Sequence, residues 1–173
     1  MTNRIQQIFD RLKKENKKAF VSFSVAGYPD EQSSLEIAKA IADSGAHIHE
    51  ISFPHAEAQA DGPIIQLANI ESIKKGINLE KIISISKKVR EHNSDIGLCL
   101  MGYLNNLFIY GIEKFAKDIS GTIDAVICVD LPSEVIEEKQ LLQSLNIIWN
   151  TELSKSLRKP KTILFTCLQT YME

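Results

Sequence analysis

Two carboxylates stand where acid–base chemistry is most easily built. Glu50 ends a short β-rich run, and Asp61 follows eleven residues later in irregular chain before Gly62-Pro63. Two carboxyl groups near one strand end, held in different surroundings, divide the roles of proton donor and acceptor between them. Strand alternation places Glu50 on one face with Ile48 and Ser52, an inward apolar setting. Burial there raises a carboxyl pKa toward neutrality and suits it to proton transfer. Plainer roles are open to the same residues: Glu50 paired with a lysine in the sheet wall, Asp61 as a turn or cap residue. Tyr103 and Asn105 follow the next strand and Asp130 the one after, as further strand-end candidates, with shaping the loop Leu131-Pro132-Ser133 as the plainer role open to Asp130. His47 and His49 form a His-x-His pair opposite Glu50, with no third ligand beside them. This predicts packing under a helix and no metal.

The elements that must position these groups alternate along the chain. Ile5, Ile8, Phe9 and Leu12 have helical spacing, and Ala19–Val25 reads as a strand stopped by Gly27-Tyr28-Pro29. Asp30 caps a helix to about Ser44, ended by Gly45. A strand over 46–52, an irregular stretch to Gly62, a short helix from Pro63 and a helix after Asn78 follow. Residues 96–101 form a third strand and a loop with Tyr103 and Asn105, then comes a helix from about Gly111. Residues 124–129 form a fourth strand, and a helix runs to about Leu145. Strand–helix alternation at this spacing predicts a parallel α/β sheet with right-handed crossovers. A closed barrel and an open doubly wound sheet both fit, and no Gly-x-Gly-x-x-Gly follows a strand to favour a dinucleotide fold. In such folds, sites lie at the carboxyl ends of the strands.

Composition narrows the function classes. The 20 basic and 22 acidic residues leave a net charge of −2, without the basic footprint of a nucleic-acid or anionic-membrane binder. No apolar run approaches the roughly 20 residues of a membrane span. Cys99, Cys128 and Cys167 are far apart and odd in number, which predicts neither a disulfide framework nor a zinc knuckle. With no signal-like apolar start, the expectation is a cytoplasmic protein.

Glu50, Pro54 and the run Ala60-Asp61-Gly62-Pro63-Ile64-Ile65-Gln66 carry a resemblance. They are similar to the tryptophan synthase alpha subunit signature, Glu-x-Gly-x-Pro-Phe-Ser-Asp-Pro-x-Ala-Asp-Gly-Pro-x-Ile-Gln. Ala26-Gly27-Tyr28-Pro29-Asp30, Leu100-Met101-Gly102-Tyr103-Leu104-Asn105, Gly111-Ile112-Glu113-Lys114-Phe115 and Asp130-Leu131-Pro132-Ser133-Glu134 extend it from about Arg4 to Ile148. The resemblance implies a (β/α)₈ (TIM) barrel, of which about four βα units are present in 1–148, with 149–173 a divergent tail. It implies a lyase of tryptophan biosynthesis that splits indole-3-glycerol phosphate by a retro-aldol step into indole and glyceraldehyde 3-phosphate. Glu50 would move protons, and Asp61 would hold the indole N–H. Phe23, Leu100, Tyr103, Ile127 and Val129 would line the substrate site. No cofactor is implied for this subunit. The partner implied is a pyridoxal-phosphate-dependent beta subunit, met by Pro54, Glu57, Asn105, Phe108, Leu131 and Pro132.

The chain departs from the signature at several positions. His55-Ala56-Glu57-Ala58 stands for Phe-Ser-Asp-Pro, Ser52 for a glycine, Tyr28 for an acidic residue, Asn106 for a proline and His49 for an aliphatic residue. The family's glycine-rich phosphate loops have no match after Ile148, as in a truncated or frameshifted reading frame. The alternative to the lyase is a non-catalytic relict or partner-binding fragment. Four βα units predict open edges at the first and fourth strands, with Ile163–Leu168 reading as a last strand able to cover one edge and not both, hence self-association and no measurable cleavage.

Overall fold

The computed structural model describes residues 3–130 in full and the backbone of 148–149 and 163–167. Helix α1 (Arg4–Lys14) forms because Ile5, Ile8 and Leu12 share one buried stripe. The Asn3 side chain caps it, accepting the Ile5 N–H at 2.9 Å. Strand β1 (Ala19–Val25) follows. Helix α2 (Glu31–Asp43) starts at Asp30, whose carboxylate accepts the Ser33 N–H at 2.9 Å. It ends at Ser44, before Gly45 turns the chain with φ +87°. Strand β2 (Ile48–Ser52) leads through a loop to α3 (Pro63–Lys74), with proline in its first turn. Helix α4 (Leu79–His92) is capped by Asn78 and precedes β3 (Gly97–Gly102). Then come α5 (Leu104–Tyr110), α6 (Ile112–Ile119), β4 (Ala125–Cys128), β5 (Ile148–Trp149) and β6 (Ile163–Cys167).

The strands form one parallel sheet in the order β5-β4-β3-β2-β1-β6. Alternation gives the sheet two unlike faces. Ile51, Leu98, Leu100 and Val126 meet Leu35, Ile82, Val89, Phe115 and Ile119 in the main core beneath α2, α4 and α6. Each such fully buried aliphatic side chain contributes about 1.5–3 kcal/mol. On the other face, Ala19, Val21, Ile48, Cys99 and Ala125 pack under Ile5, Ile8 and Leu12 of α1. That helix plugs the amino-terminal end of the sheet. Asp124 fastens the same end: its carboxylate pairs with Arg90 at 2.7 Å and with Arg4, and accepts the Leu98 N–H at 2.9 Å.

Three expectations are corrected. β1 and β4 are not edges: β6 pairs with β1 from Ala19↔Ile163 to Phe23↔Cys167, and β5 pairs with Ala125 and Val126 of β4. The strand expected from Ile163 thus covers the edge of β1 over Ala19–Phe23, and the correction concerns the second edge, where β4 is covered too, at Ala125 and Val126. Asn105 and Phe108 lie on a helix, α5, rather than in a loop. Strand β2 ends at Ser52, as expected, but starts at Ile48, so Glu50 sits at its middle and not at its end. The helix expected from Asp130 to about Leu145 lies outside the described residues.

Candidate active site

Glu50 faces inward in a lateral row with Phe23 of β1, Cys99 of β3 and Ala125 of β4. The next inward row holds Val25, Ser52, Met101 and Ile127. Only 6% of Glu50 is exposed, and among the described residues its carboxyl has no hydrogen-bond or ion-pair partner, the lysine pairing included. Burial alone therefore pushes its pKa up to about 7. The neighbouring Cys99 thiol is pushed well up, first by its burial and then by Glu50. Phe23 and Val25 join Ala68 of α3 in an apolar cluster with Ile65 and Met101 packed against it. Helix α3 thus lies against β1 and brings its own start, and Asp61 just before it, toward this face.

The loop from β2 to α3 is tied at several points. Gly102 ends β3 without a side chain, and a Cβ there would come within 2.1 Å of the Phe53 ring. Glycine is what lets Phe53 lie against the strand. The Asp61 N–H donates to the Ala58 carbonyl at 3.0 Å, and Gln66 Nε2 donates to the carbonyls of Ala58 and Asp61 at 3.2 and 3.0 Å. The Tyr103 hydroxyl accepts the Ala60 N–H at 3.0 Å, and His55 stacks on the Tyr103 ring with centroids 4.6 Å apart. Burial raises the Asp61 carboxyl above its ordinary range, opposed by the Asn69 side chain. A buried, unpaired carboxyl on an apolar floor and a second carboxyl on a pinned loop can pass a proton and face a developing positive charge.

The other residues named from the sequence divide. Phe23 and Ile127 share the inward rows with Glu50. Val129 follows β4, its N–H donating to the Gly102 carbonyl at 2.8 Å. Leu100 is a correction: it pairs with Ile51 and Val126 and is buried in the helix-side core, on the face away from Glu50. Met101 takes that place, paired with Ser52 and Ile127, and the nearly unbroken apolar run over 97–102 holds no alternation that would mark it. Pro54 is buried in the chain, its carbonyl accepting from Asn106 Nδ2 at 3.1 Å. Glu57 and Asn105 are exposed and Phe108 is 57% exposed, while Leu131 and Pro132 lie outside the described residues. Asp130 accepts the Leu104 N–H at 2.7 Å and so tethers the start of α5. His47 Nδ1 accepts the Phe20 N–H at 3.0 Å, and His49 lies buried between Ser22 and Ser24.

Comparison with known proteins agrees with this fold. The profile described as "Tryptophan synthase alpha chain" matches residues 9–151. The tryptophan synthase alpha chain of Caldanaerobacter subterraneus subsp. tengcongensis is 41% identical over 141 residues, 81% of this chain and 53% of that protein. The chain belongs to the tryptophan synthase alpha chain family. It spans about half the length of the curated relatives it matches. Among solved structures, tryptophan synthase subunit alpha from Legionella pneumophila str. Paris superposes with a TM-score of 0.82 at 24% identity, covering 97% of this chain and 69% of that one. A structure from Aquifex aeolicus VF5 does so with a TM-score of 0.81 at 32% identity, covering 98% and 72%. The described elements are accordingly part of a (β/α)₈ barrel, with Glu50 on its inner wall.

Proposed function

We propose that this chain carries the proton-transferring, indole-facing part of a lyase site for indole-3-glycerol phosphate, in the biosynthesis of tryptophan. The observation that carries the reading is Glu50: buried, without a partner among the described residues, and held at a pKa of about 7. Such a carboxyl is present in both protonation states near neutrality and can both give and take a proton. Protonating the indole ring carbon that bears the glycerol phosphate turns the ring into a leaving group with positive charge at nitrogen. The Asp61 carboxylate accepts the indole N–H and stabilises that charge. Loss of the adjacent hydroxyl proton forms the aldehyde as the carbon–carbon bond breaks, giving indole and glyceraldehyde 3-phosphate. Phe23, Met101 and Ile127 supply the apolar wall for the ring.

The exposed side chains of Glu57, Asn105 and Phe108 are the surface we assign to a pyridoxal-phosphate-dependent beta subunit. A cytoplasmic place accords with this reading. Among the described residues no helix is long and apolar enough to cross a membrane. A second reading has one observation in its favour: the exposed surface of Glu57, Asn105 and Phe108 can bind a partner without any turnover at Glu50. On that reading the chain is a non-catalytic member that binds the partner. The test is indole release from indole-3-glycerol phosphate by the purified chain and its Glu50→Gln variant. The lyase reading expects release from the wild type alone. Equal release from both would overturn it, and no release together with measurable beta-subunit binding would establish the second reading.

A further inference from the structure

Two of the positions at which this chain departs from the family signature, 55 and 106, are bonded to each other. Asn106 Nδ2 donates to the Pro54 carbonyl at 3.1 Å, which turns its Oδ1 toward His55. His55 Nδ1 lies 2.9 Å from that oxygen. An amide oxygen only accepts, so Nδ1 is the nitrogen that carries the imidazole proton. The bond fixes the orientation of the ring, which lies on Tyr103 at 4.6 Å between centroids and 22° between planes. Tyr103 is 8% exposed, and its hydroxyl accepts the N–H of Ala60 at 3.0 Å. Ala60 immediately precedes Asp61. A continuous path therefore leads from the Asn106 amide through two stacked rings to the backbone beside that carboxylate.

We propose that His55 is a positioning residue for Asp61, acting through Tyr103. The imidazole, oriented by Asn106, holds the phenol where it anchors the Ala60 N–H and so sets the height of Asp61 over the inner wall. Gln66 anchors the carbonyl side of the same segment, leaving the Ala60 N–H as the point that depends on the stack. The kinetic part of this inference rests on the lyase reading; the structural part does not.

The experiment uses the full chain and reads both parts. Amide hydrogen exchange at Ala60 is followed in the wild type and in His55→Ala, His55→Phe, Tyr103→Phe and Asn106→Ala. Removing the stack or the phenol is expected to speed Ala60 exchange roughly tenfold or more. Phenylalanine at 55, which stacks without being oriented, restores part of the protection. With indole-3-glycerol phosphate as substrate, His55→Ala is expected to lower kcat by roughly 10- to 100-fold with little change in KM, and His55→Phe to recover part of it. Unchanged Ala60 exchange in His55→Ala overturns the proposal, as does identical behaviour of the alanine and phenylalanine variants. Should His55→Ala fail to fold, Asn106→Ala keeps both rings and carries the same test. A wild type that releases no indole refutes the lyase reading, while Ala60 exchange still decides the clamp.

Discussion

Glu50 and His49 are neighbours in the chain and lie on opposite faces of β2, both almost fully buried. Their surroundings differ in one respect that decides everything else. Ser22 Oγ lies 3.0 Å from His49 Nδ1, and Ser24 Oγ lies 3.2 Å from Nε2, so both ring nitrogens have partners. Glu50 has none among the described residues. A buried polar group whose bonds are all made stabilises the fold and has nothing left for a ligand. One whose bonds are unmade costs stability and is available to a substrate. Burial pushes the two in opposite directions: Glu50 up to about 7 and His49 down to about 4.

The largest expected effect comes from removing the unsatisfied side. Above pH 7 the folded chain holds an ionised Glu50 that the unfolded chain ionises from an ordinary value of 4.5. That difference weighs against folding by about 3 kcal/mol at pH 8. Glu50→Gln is therefore expected to raise stability by about that amount at pH 8 and by little at pH 4, while abolishing indole release. Denaturant melts at the two pH values measure it, and an equal gain at both would show that ionisation is not the cause.

Next come the pH slopes, which the two residues set with opposite signs. Between about 4.5 and 7 the folded state keeps a proton on Glu50 that the unfolded state has lost, so stability falls as pH rises. Between about 4 and 6.5 the unfolded state holds a proton on His49 that the folded state lacks, so stability rises with pH. In the shared window from 4.5 to 6.5 the two nearly cancel. Relative to the wild type, Glu50→Gln should add a slope of up to about +1.4 kcal/mol per pH unit, and His49→Gln up to about −1.4. Two variants with slopes of the same sign would break the comparison.

Much of this arrangement is legible in the sequence, for local reasons. The ends of β1 were legible because Gly27-Tyr28-Pro29 stops an apolar run, and the starts of α2 and α4 because Asp30 and Asn78 cap through their own side chains. The opposition of Glu50 and His49 followed from strand alternation. Leu100 was misplaced because residues 97–102 are nearly all apolar, and such a run carries no alternation to fix its phase. Helix α5 was missed because it is short and its N-cap, Tyr103, makes no side-chain cap bond. The pairing of β6 with β1 joins positions more than 140 residues apart, which no local pattern encodes. The stack of His55 on Tyr103 was likewise invisible, since it arises only when two loops meet.

The smallest effect tests which hydrogens make His49 a satisfied group. The Ser22 hydroxyl also lies 3.4 Å from the Ile48 carbonyl, an acceptor that draws its proton. With that proton committed, the Ser22 oxygen accepts from Nδ1–H, and Nε2 is left to accept from the Ser24 hydroxyl. The neutral ring should therefore be the Nδ1–H tautomer. Ser22→Ala removes the acceptor, and the proton is expected to move to Nε2 and donate to Ser24, leaving one unpaired lone pair on Nδ1. Ser24→Ala removes the other partner and should leave the tautomer unchanged. Each loss is expected to cost about 1 kcal/mol, within the usual range for one buried hydrogen bond. Imidazole ¹⁵N shifts at pH 7 separate the two tautomers directly. A ring that keeps Nδ1–H in Ser22→Ala, or changes tautomer in Ser24→Ala, would place the proton the other way round and make Ser24 the acceptor that holds it.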